Sequence, residues 1–378
     1  MNGIKKGLGL LILLMVFGGV LPWGWAGDKK LPFPRMARFW QRLSNKKVQC
    51  QLCPRHCLLS PGQRGICGVR ENKDGELVTY GYGNPVALHI DPIEKKPFFH
   101  VWPGAKAFSV AIAGCNMRCL FCQNWQISQS RPDDVYGFIL LPNELVDLAR
   151  QYHTKWLVYT YTEPTVFYEY MYESAVLAKR SGLFTAMHTC GYINPEPLRQ
   201  LLPYIDAINV DLKGFSEEFY NQMGLMASLK PVLETLKLIR QSGTWLEITN
   251  LVIPGFNDNP DEVKKMCEWI VKNLGPDVPL HFSRFFPCHK LTSAPPTPIS
   301  TLERCVEIAH QSGLKFVYIG NVPGHKWENT YCPHCGALLI KRIGYTVVFN
   351  KIKDGHCPFC GEKIPGIWRG DKGDKKTE

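Results

Sequence analysis

The chain predicts an α/β fold, a parallel sheet with helices packed outside it. From residue 144 to 319, short apolar runs alternate with longer stretches of helical period. The short runs, such as Trp156–Thr160 and Ala207–Leu212, are apolar nearly throughout, as expected of strands covered on both faces. Three tight clusters of cysteines flank or interrupt this pattern, at 50–67, 115–122 and 332–360. They add small metal-dependent pieces to one large domain.

The expected strands are Phe108–Ala113, Trp156–Thr160, Phe184–Thr189, Ala207–Leu212, Trp245–Leu251, Leu280–Phe285 and Phe316–Ile319. The expected helices are Glu144–His153, Thr165–Ser181, Glu196–Leu202, Ser216–Gly224, Leu229–Ser242, Asp261–Leu274 and Ser300–Gly313. Residues 77–80 and 86–90 read as a β-hairpin leading into the core, and 36–43 as a helical stretch in a basic linker.

With 378 residues the chain suffices for one large α/β domain and small appendages. The net charge of +11 is scattered, with no basic stripe interleaved with aromatics, so no nucleic-acid partner is expected. An anionic membrane surface or an acidic substrate fits the charge as well. Of the 15 cysteines, all but Cys190, Cys267, Cys288 and Cys305 fall in the three clusters. Clustered C-x2-C pairs imply free thiolates for metal, and hence a reducing compartment.

Cys115, Cys119 and Cys122 stand at C-x3-C-x2-C spacing directly after an apolar strand. Three thiolates suit three irons of a [4Fe–4S] cube, leaving the fourth iron open. This spacing resembles that of the radical S-adenosylmethionine (SAM) enzymes. The resemblance implies that the open iron binds the amino and carboxylate groups of SAM. Reductive cleavage then yields methionine and a 5′-deoxyadenosyl radical that abstracts hydrogen from a substrate. It also implies a partial barrel of about six to eight strands, with functional groups at the strand C-termini.

The first cluster is Cys50, Cys53, Cys57 and Cys67, spaced C-x2-C-x3-C-x9-C in a Gly- and Pro-rich segment. Four soft ligands there suit tetrahedral zinc or a second, fully ligated Fe–S cluster; the reading leans to zinc and leaves both open. C-x2-C-P-R-x-C, then Asp91-Pro92-Ile93-Glu94-Lys95-Lys96-Pro97, then the Gly114–Ser128 motif resemble the radical SAM member of the AmmeMemoRadiSam system. That group is similar to the pyruvate formate-lyase activating enzymes, and the match runs from about Cys50 to about Gly320.

The resemblance implies cofactor contacts at strand ends. Glu163 stands in Tyr161-Thr162-Glu163-Pro164, where the family has Gly-Gly-Glu-Pro, so both glycines are replaced. Asp211 and Lys213 lie two apart on one strand face, as in the family's D-L-K. Asn250 and His281 follow on later strands. Without the resemblance, Glu163 reads as a helix N-terminal carboxylate, Asp211–Lys213 as a structural ion pair and His281 as a core histidine. The resemblance leaves the substrate open, a protein among the classes it allows, and implies a reduced flavodoxin or ferredoxin as electron donor. Two other readings stay open: an activase generating a glycyl radical on a partner enzyme, and a metal-binding scaffold.

Cys332-Pro333-His334-Cys335-Gly336 recurs as Cys357-Pro358-Phe359-Cys360-Gly361 around a hairpin, which reads as a zinc ribbon that metal must fold. At the other end, the apolar run from Gly7 to about Trp25 reads as a signal or membrane anchor. The basic residues after it (Lys29, Lys30, Arg35, Arg38 and Arg42) place the body on the cytoplasmic side of the membrane. The expected organisation is a signal or anchor segment at 1–27, a Cys-rich module and hairpin at 28–104, a radical SAM partial barrel at 105–325, a zinc ribbon at 326–364 and a charged tail at 365–378.

Overall fold

The computed structural model describes residues 34–368. Its main sheet has eight strands: β1 Ala87–Pro92, β2 Lys106–Ala111, β3 Trp156–Tyr159, β4 Phe184–Thr189, β5 Ala207–Asp211, β6 Trp245–Val252, β7 Leu280–Arg284 and β8 Val317–Gly320. Each strand pairs with its neighbour in sequence. β1 is antiparallel to β2, and every pair from β2 to β8 is parallel. β1 and β8 are the two edges and do not pair, so the sheet stays open.

Helices α1 Pro142–Gln151, α2 Tyr168–Arg180, α3 Pro195–Leu201, α4 Glu217–Gln222, α5 Leu229–Ser242, α6 Pro260–Leu274 and α7 Ile299–Gln311 connect the parallel strands. Their ends are chemically marked. At α6, the Asn259 side chain accepts from Asp261 N and Pro260 opens the first turn; α5 stops at left-handed Gly243, φ 79°.

One face of the sheet packs on these helices. Leu157, Tyr159, Ile208, Val210 and Ile248 share a core with Ala175, Ala178, Leu236, Ile239 and Ile270. Near the strand N-termini, the other face is filled by Ile93, Phe98 and Val101 against Ala107, Trp156, Val158, Ala186 and Ala207. That plug leaves the C-terminal half of the same face free to line a cavity.

The N-terminal module differs from expectation in two places. Residues 36–43 form no helix: Arg35–Met36 pairs with Glu76–Thr79, and Trp40–Arg42 pairs with Val48–Cys50. Phe39 between them has φ 57°, which a right-handed helix cannot pass through. The expected hairpin is also re-paired. Glu76–Thr79 turns back on Arg70–Lys73 through Asp74-Gly75, and Ala87–Pro92 becomes the edge strand β1. Asp-Gly is the stronger turn signal because both residues accept positive φ, here 50° and 95°.

Chain order continues past the expected ribbon boundary at 364. Ile367 bridges Val101, and Trp368 is buried. Residues 369–378 of the expected tail lie outside the described residues.

The expected membrane tether and its cytoplasm-facing placement are corrected. No helix among the described residues is long and apolar enough to cross a membrane. The expectation rested on residues 1–27, which lie outside the described residues. Nothing described links the chain to a bilayer.

Candidate active site

A cavity of about 740 Å³ opens at the C-terminal ends of the strands. The loop after β2 brings Cys115, Cys119 and Cys122 to its wall. The loop starts at Gly114, φ 106°, where a Cβ would stand 2.4 Å from Val69 Cγ2 and 2.8 Å from Cys67 O. Only glycine lets the strand end lie that close to the N-terminal module. Phe121 is buried beside Phe219, and Asn124 Nδ2 donates to Tyr161 O at 2.8 Å. Met117 N donates to Cys115 Sγ at 3.3 Å, and Cys122 Sγ lies 3.2 Å from Ser128 Oγ.

Burial pushes the Cys115 thiol well up; it pushes Cys119 up to about 11, against the pull of the Lys213 charge. Without a cation these thiols stay protonated, so metal ligation is what makes them thiolates. The three sulfurs are not drawn together within 4.8 Å. That suits a cube, in which each thiolate holds a different iron.

Glu163, Asp211, Lys213 and His281 line the same cavity. Glu163 is buried. Its Oε1 accepts from Thr165 N (3.1 Å), Thr165 Oγ1 (2.6 Å) and Thr189 Oγ1 (2.6 Å), and its Oε2 accepts from Cys190 N (2.8 Å). It is thus a helix N-cap as well as a cavity group. Oε2 keeps acceptor capacity that Oε1 has used up.

Asp211 Oδ2 accepts from Lys213 Nζ, and its Oδ1 contacts His188 Nε2, both at 2.8 Å. Burial raises the Asp211 carboxyl, but the Lys213 charge and His188 outweigh it and hold it well below the usual carboxylate range. Burial opposes the Lys213 charge, yet Asp211 keeps the ammonium well above its ordinary value. The pair is ionised.

His281 is buried, with Nε2 2.6 Å from Glu247 Oε2. Glu247 also accepts from Phe99 N, His100 N and Trp245 Nε1. His281 therefore serves the core and touches the cavity. Asn250 does not reach the cavity as a cofactor contact would. Its neighbours Thr249 and Leu251 line the cavity, while Asn250 points the other way and donates to Leu212 O at 2.8 Å. Period-2 alternation along β6 decides this.

Three cavity groups were not singled out as cofactor contacts in the sequence. His188 follows β4 alternation from buried Ala186, a signal that was available. Lys96 is buried and donates to Asp91 Oδ2 (2.7 Å) and Tyr161 OH (3.0 Å); burial lowers its ammonium to about 8 despite Asp91. Tyr161 bonds Asp91 with its hydroxyl and takes φ 68°, the backbone a glycine would supply.

The remaining cysteines form two further sets. Cys50, Cys53, Cys57 and Cys67 line a small separate pocket. Cys332, Cys335, Cys357 and Cys360 lie with all sulfurs within 4.8 Å of one another. The hairpin between those last pairs, Leu338–Ile343 and Thr346–Asn350, brings Gly344 and Tyr345 to the cavity rim.

Known proteins fit this arrangement. The family model described as "Radical SAM superfamily" matches residues 109–270. The uncharacterized protein MJ0808 of Methanocaldococcus jannaschii is 50% identical over 332 residues, 87% of this chain and 98% of its own. Residues 109–270 thus carry a radical SAM domain. Such a domain supports an enzyme and implies a [4Fe–4S] cluster and SAM. A pyruvate formate-lyase-activating enzyme of Listeria monocytogenes is 25% identical over 183 residues, 44% of this chain and 70% of its own. A radical SAM methyltransferase from Sphaerobacter thermophilus is a weaker structural likeness. Its TM-score is 0.42 at 14% identity, over 76% of this chain and 77% of that one.

Proposed function

We propose that the chain is a radical SAM enzyme of the AmmeMemoRadiSam type. What supports this is convergence: Cys115, Cys119, Cys122, Glu163 and the Asp211–Lys213 pair all face one cavity. In this reading the three cysteines hold the [4Fe–4S] cluster. When bound, the cluster supplies the electron that cleaves SAM and starts hydrogen abstraction.

The chain's own groups bind and orient. Glu163 Oε2 accepts from the SAM ammonium as a charge-assisted hydrogen bond. Lys213 meets the carboxylate, held in place by Asp211. Asn250 braces the Leu212 carbonyl just before Lys213 and so acts by positioning. His281, anchored by Glu247, supports the cavity wall.

The ribbon is read as zinc. Its Sγ pairs Cys332–Cys360 and Cys335–Cys357 lie 3.6 and 3.8 Å apart. Zn–S bonds of about 2.3 Å in a tetrahedron put sulfurs about 3.8 Å apart.

The test uses anaerobically reconstituted full chain with dithionite and SAM. Formation of 5′-deoxyadenosine that Cys119→Ala abolishes supports the reading; cleavage retained by that variant overturns it. Iron incorporation without any cleavage would favour the scaffold reading. The activase-named relatives favour a second substrate class, a protein carrying a glycine to be oxidised to a radical, with a flavodoxin- or ferredoxin-type donor. A glycyl-radical EPR signal on an added partner enzyme distinguishes it.

A further inference from the structure

Cys50, Cys53, Cys57 and Cys67 have no part in the reading above. All four line one small pocket, together with Arg70 and Asn116. A Cβ built at Gly65 would stand 3.7 Å from both Cys57 Sγ and Cys67 Sγ, so these two sulfurs flank one point. Yet the set is not contracted for a single ion. Among the described residues, the only three or more His, Cys, Asp or Glu ligand atoms mutually within 4.8 Å are those of the ribbon.

The chain thus holds one contracted cysteine set and two open ones. A lone zinc needs sulfurs at tetrahedral contact. A cube needs them spread, because each thiolate binds its own iron. The N-terminal set has the open form of the Cys115 set, with a fourth cysteine added.

The surroundings suit an anionic cluster. The backbone N–H of Arg55 is directed at the Cys53 sulfur, and those of Val69 and Arg70 at the Cys67 sulfur. Arg70 is 1% exposed, and its Nη1 lies 3.6 Å from Cys50 Sγ. Its Nε has no hydrogen-bond partner. Its Nη2 is ion-paired with buried Glu169 Oε1, so the charge is already partnered and the Nε donor is the one polar atom of the guanidinium left for an acceptor.

We propose that Cys50, Cys53, Cys57 and Cys67 hold a second, fully ligated [4Fe–4S] cluster. This goes beyond the SAM-cleavage reading and can fail separately from it. Full ligation leaves no iron open to substrate, so the site serves one-electron transfer. It accepts one electron from an external low-potential protein donor and gives one up, with no bond made or broken and no proton moved. It is well placed to pass that electron inward. Residues 114–116 form a shared wall, since Gly114 abuts Cys67 O and Asn116 lines the pocket one residue after Cys115.

The test is the full-length Cys115→Ser, Cys119→Ser, Cys122→Ser triple variant, reconstituted anaerobically with iron and sulfide. About four irons and about four sulfides per chain should remain, since the N-terminal cube keeps all its ligands. Dithionite should produce an EPR signal that SAM leaves unchanged. Loss of all iron, one zinc in place of iron at these cysteines, or a signal that SAM alters would overturn the proposal. Should the variant precipitate, the wild-type count decides: about eight irons supports a second cube and about four excludes it. A wild type holding about eight irons but unable to cleave SAM would sink the earlier reading and leave this one standing.

Discussion

Tyr161 sits left-handed at φ 68° where a glycine would rest without strain. Its hydroxyl bonds Asp91, and Lys96 Nζ lies 4.2 Å over its ring. The strain is held by those contacts. Tyr161→Phe keeps the ring but removes the hydroxyl, and should cost about 1–2 kcal/mol in urea unfolding. His100 gives a pH prediction. Burial, against the charge of Glu247, lowers its imidazole from 6.5 to about 4. Its Nδ1 faces Pro365 O and its Nε2 faces Tyr318 OH, both at 2.6 Å, a fit for the neutral ring. As pH falls through 6.5 the unfolded chain takes a proton that the folded chain refuses. Stability should therefore drop between about pH 6.5 and about pH 4 by up to about 3 kcal/mol, flatten below, and lose this step in His100→Gln. Legibility at this scale followed motif strength. The C-x3-C-x2-C spacing and the two-apart Asp211 and Lys213 could be read directly. Asn250 could have been placed too: Leu246, Ile248 and Val252 share its face, and they mark the helix side of β6. His188 has no motif, only its register.

Elements of ten residues or more were legible because their period repeats. Leu229–Ser242 has its expected bounds, and the other long helices differ by a residue or a few at the ends. Strands of two to four residues around the first cysteine cluster repeat nothing, so their pairing is written only in turns such as Asp74-Gly75. The segment from 93 to 104 is the element whose importance was least visible. Glu94 in it is buried and accepts from Gly104 N at 2.9 Å. Burial raises Glu94 to about 7, while Arg342 pulls it down. Arg342 comes from the ribbon hairpin and donates to Phe99 O at 2.7 Å, Thr330 Oγ1 at 2.9 Å and Glu328 O at 3.2 Å. Arg342→Ala would leave Glu94 without its buried counter-charge, 3.8 Å away, and three oxygens without the guanidinium donor. It should destabilise the protein by about 3–5 kcal/mol in guanidinium titration, with ribbon metal content unchanged.

On the scale of the molecule, parallel strand order was legible from alternation, whereas attachment of the appendages was not. Attachment depends on single buried contacts between distant residues, such as Arg70 with Glu169 and Arg342 with Phe99. The ribbon has little apolar core of its own; Leu339, Ile340 and Cys357 bury against Phe316, Tyr318 and Trp368. Stripping any metal from the four-cysteine set with a chelator should therefore expose the 332–360 segment to protease while the sheet stays protected. Cleavage confined to that segment is the expected result, and global digestion would show that the metal supports the whole fold.

The hairpin that reaches the cavity rim is riveted rather than hinged. Swinging Gly344 and Tyr345 aside would strand a fully buried guanidinium and the oxygens it serves, a cost ordinary thermal fluctuation does not meet. The rim on that side is masonry, not a door. On that side of the opening, anything that reaches the three cysteines passes a fixed edge and adapts its own shape to it.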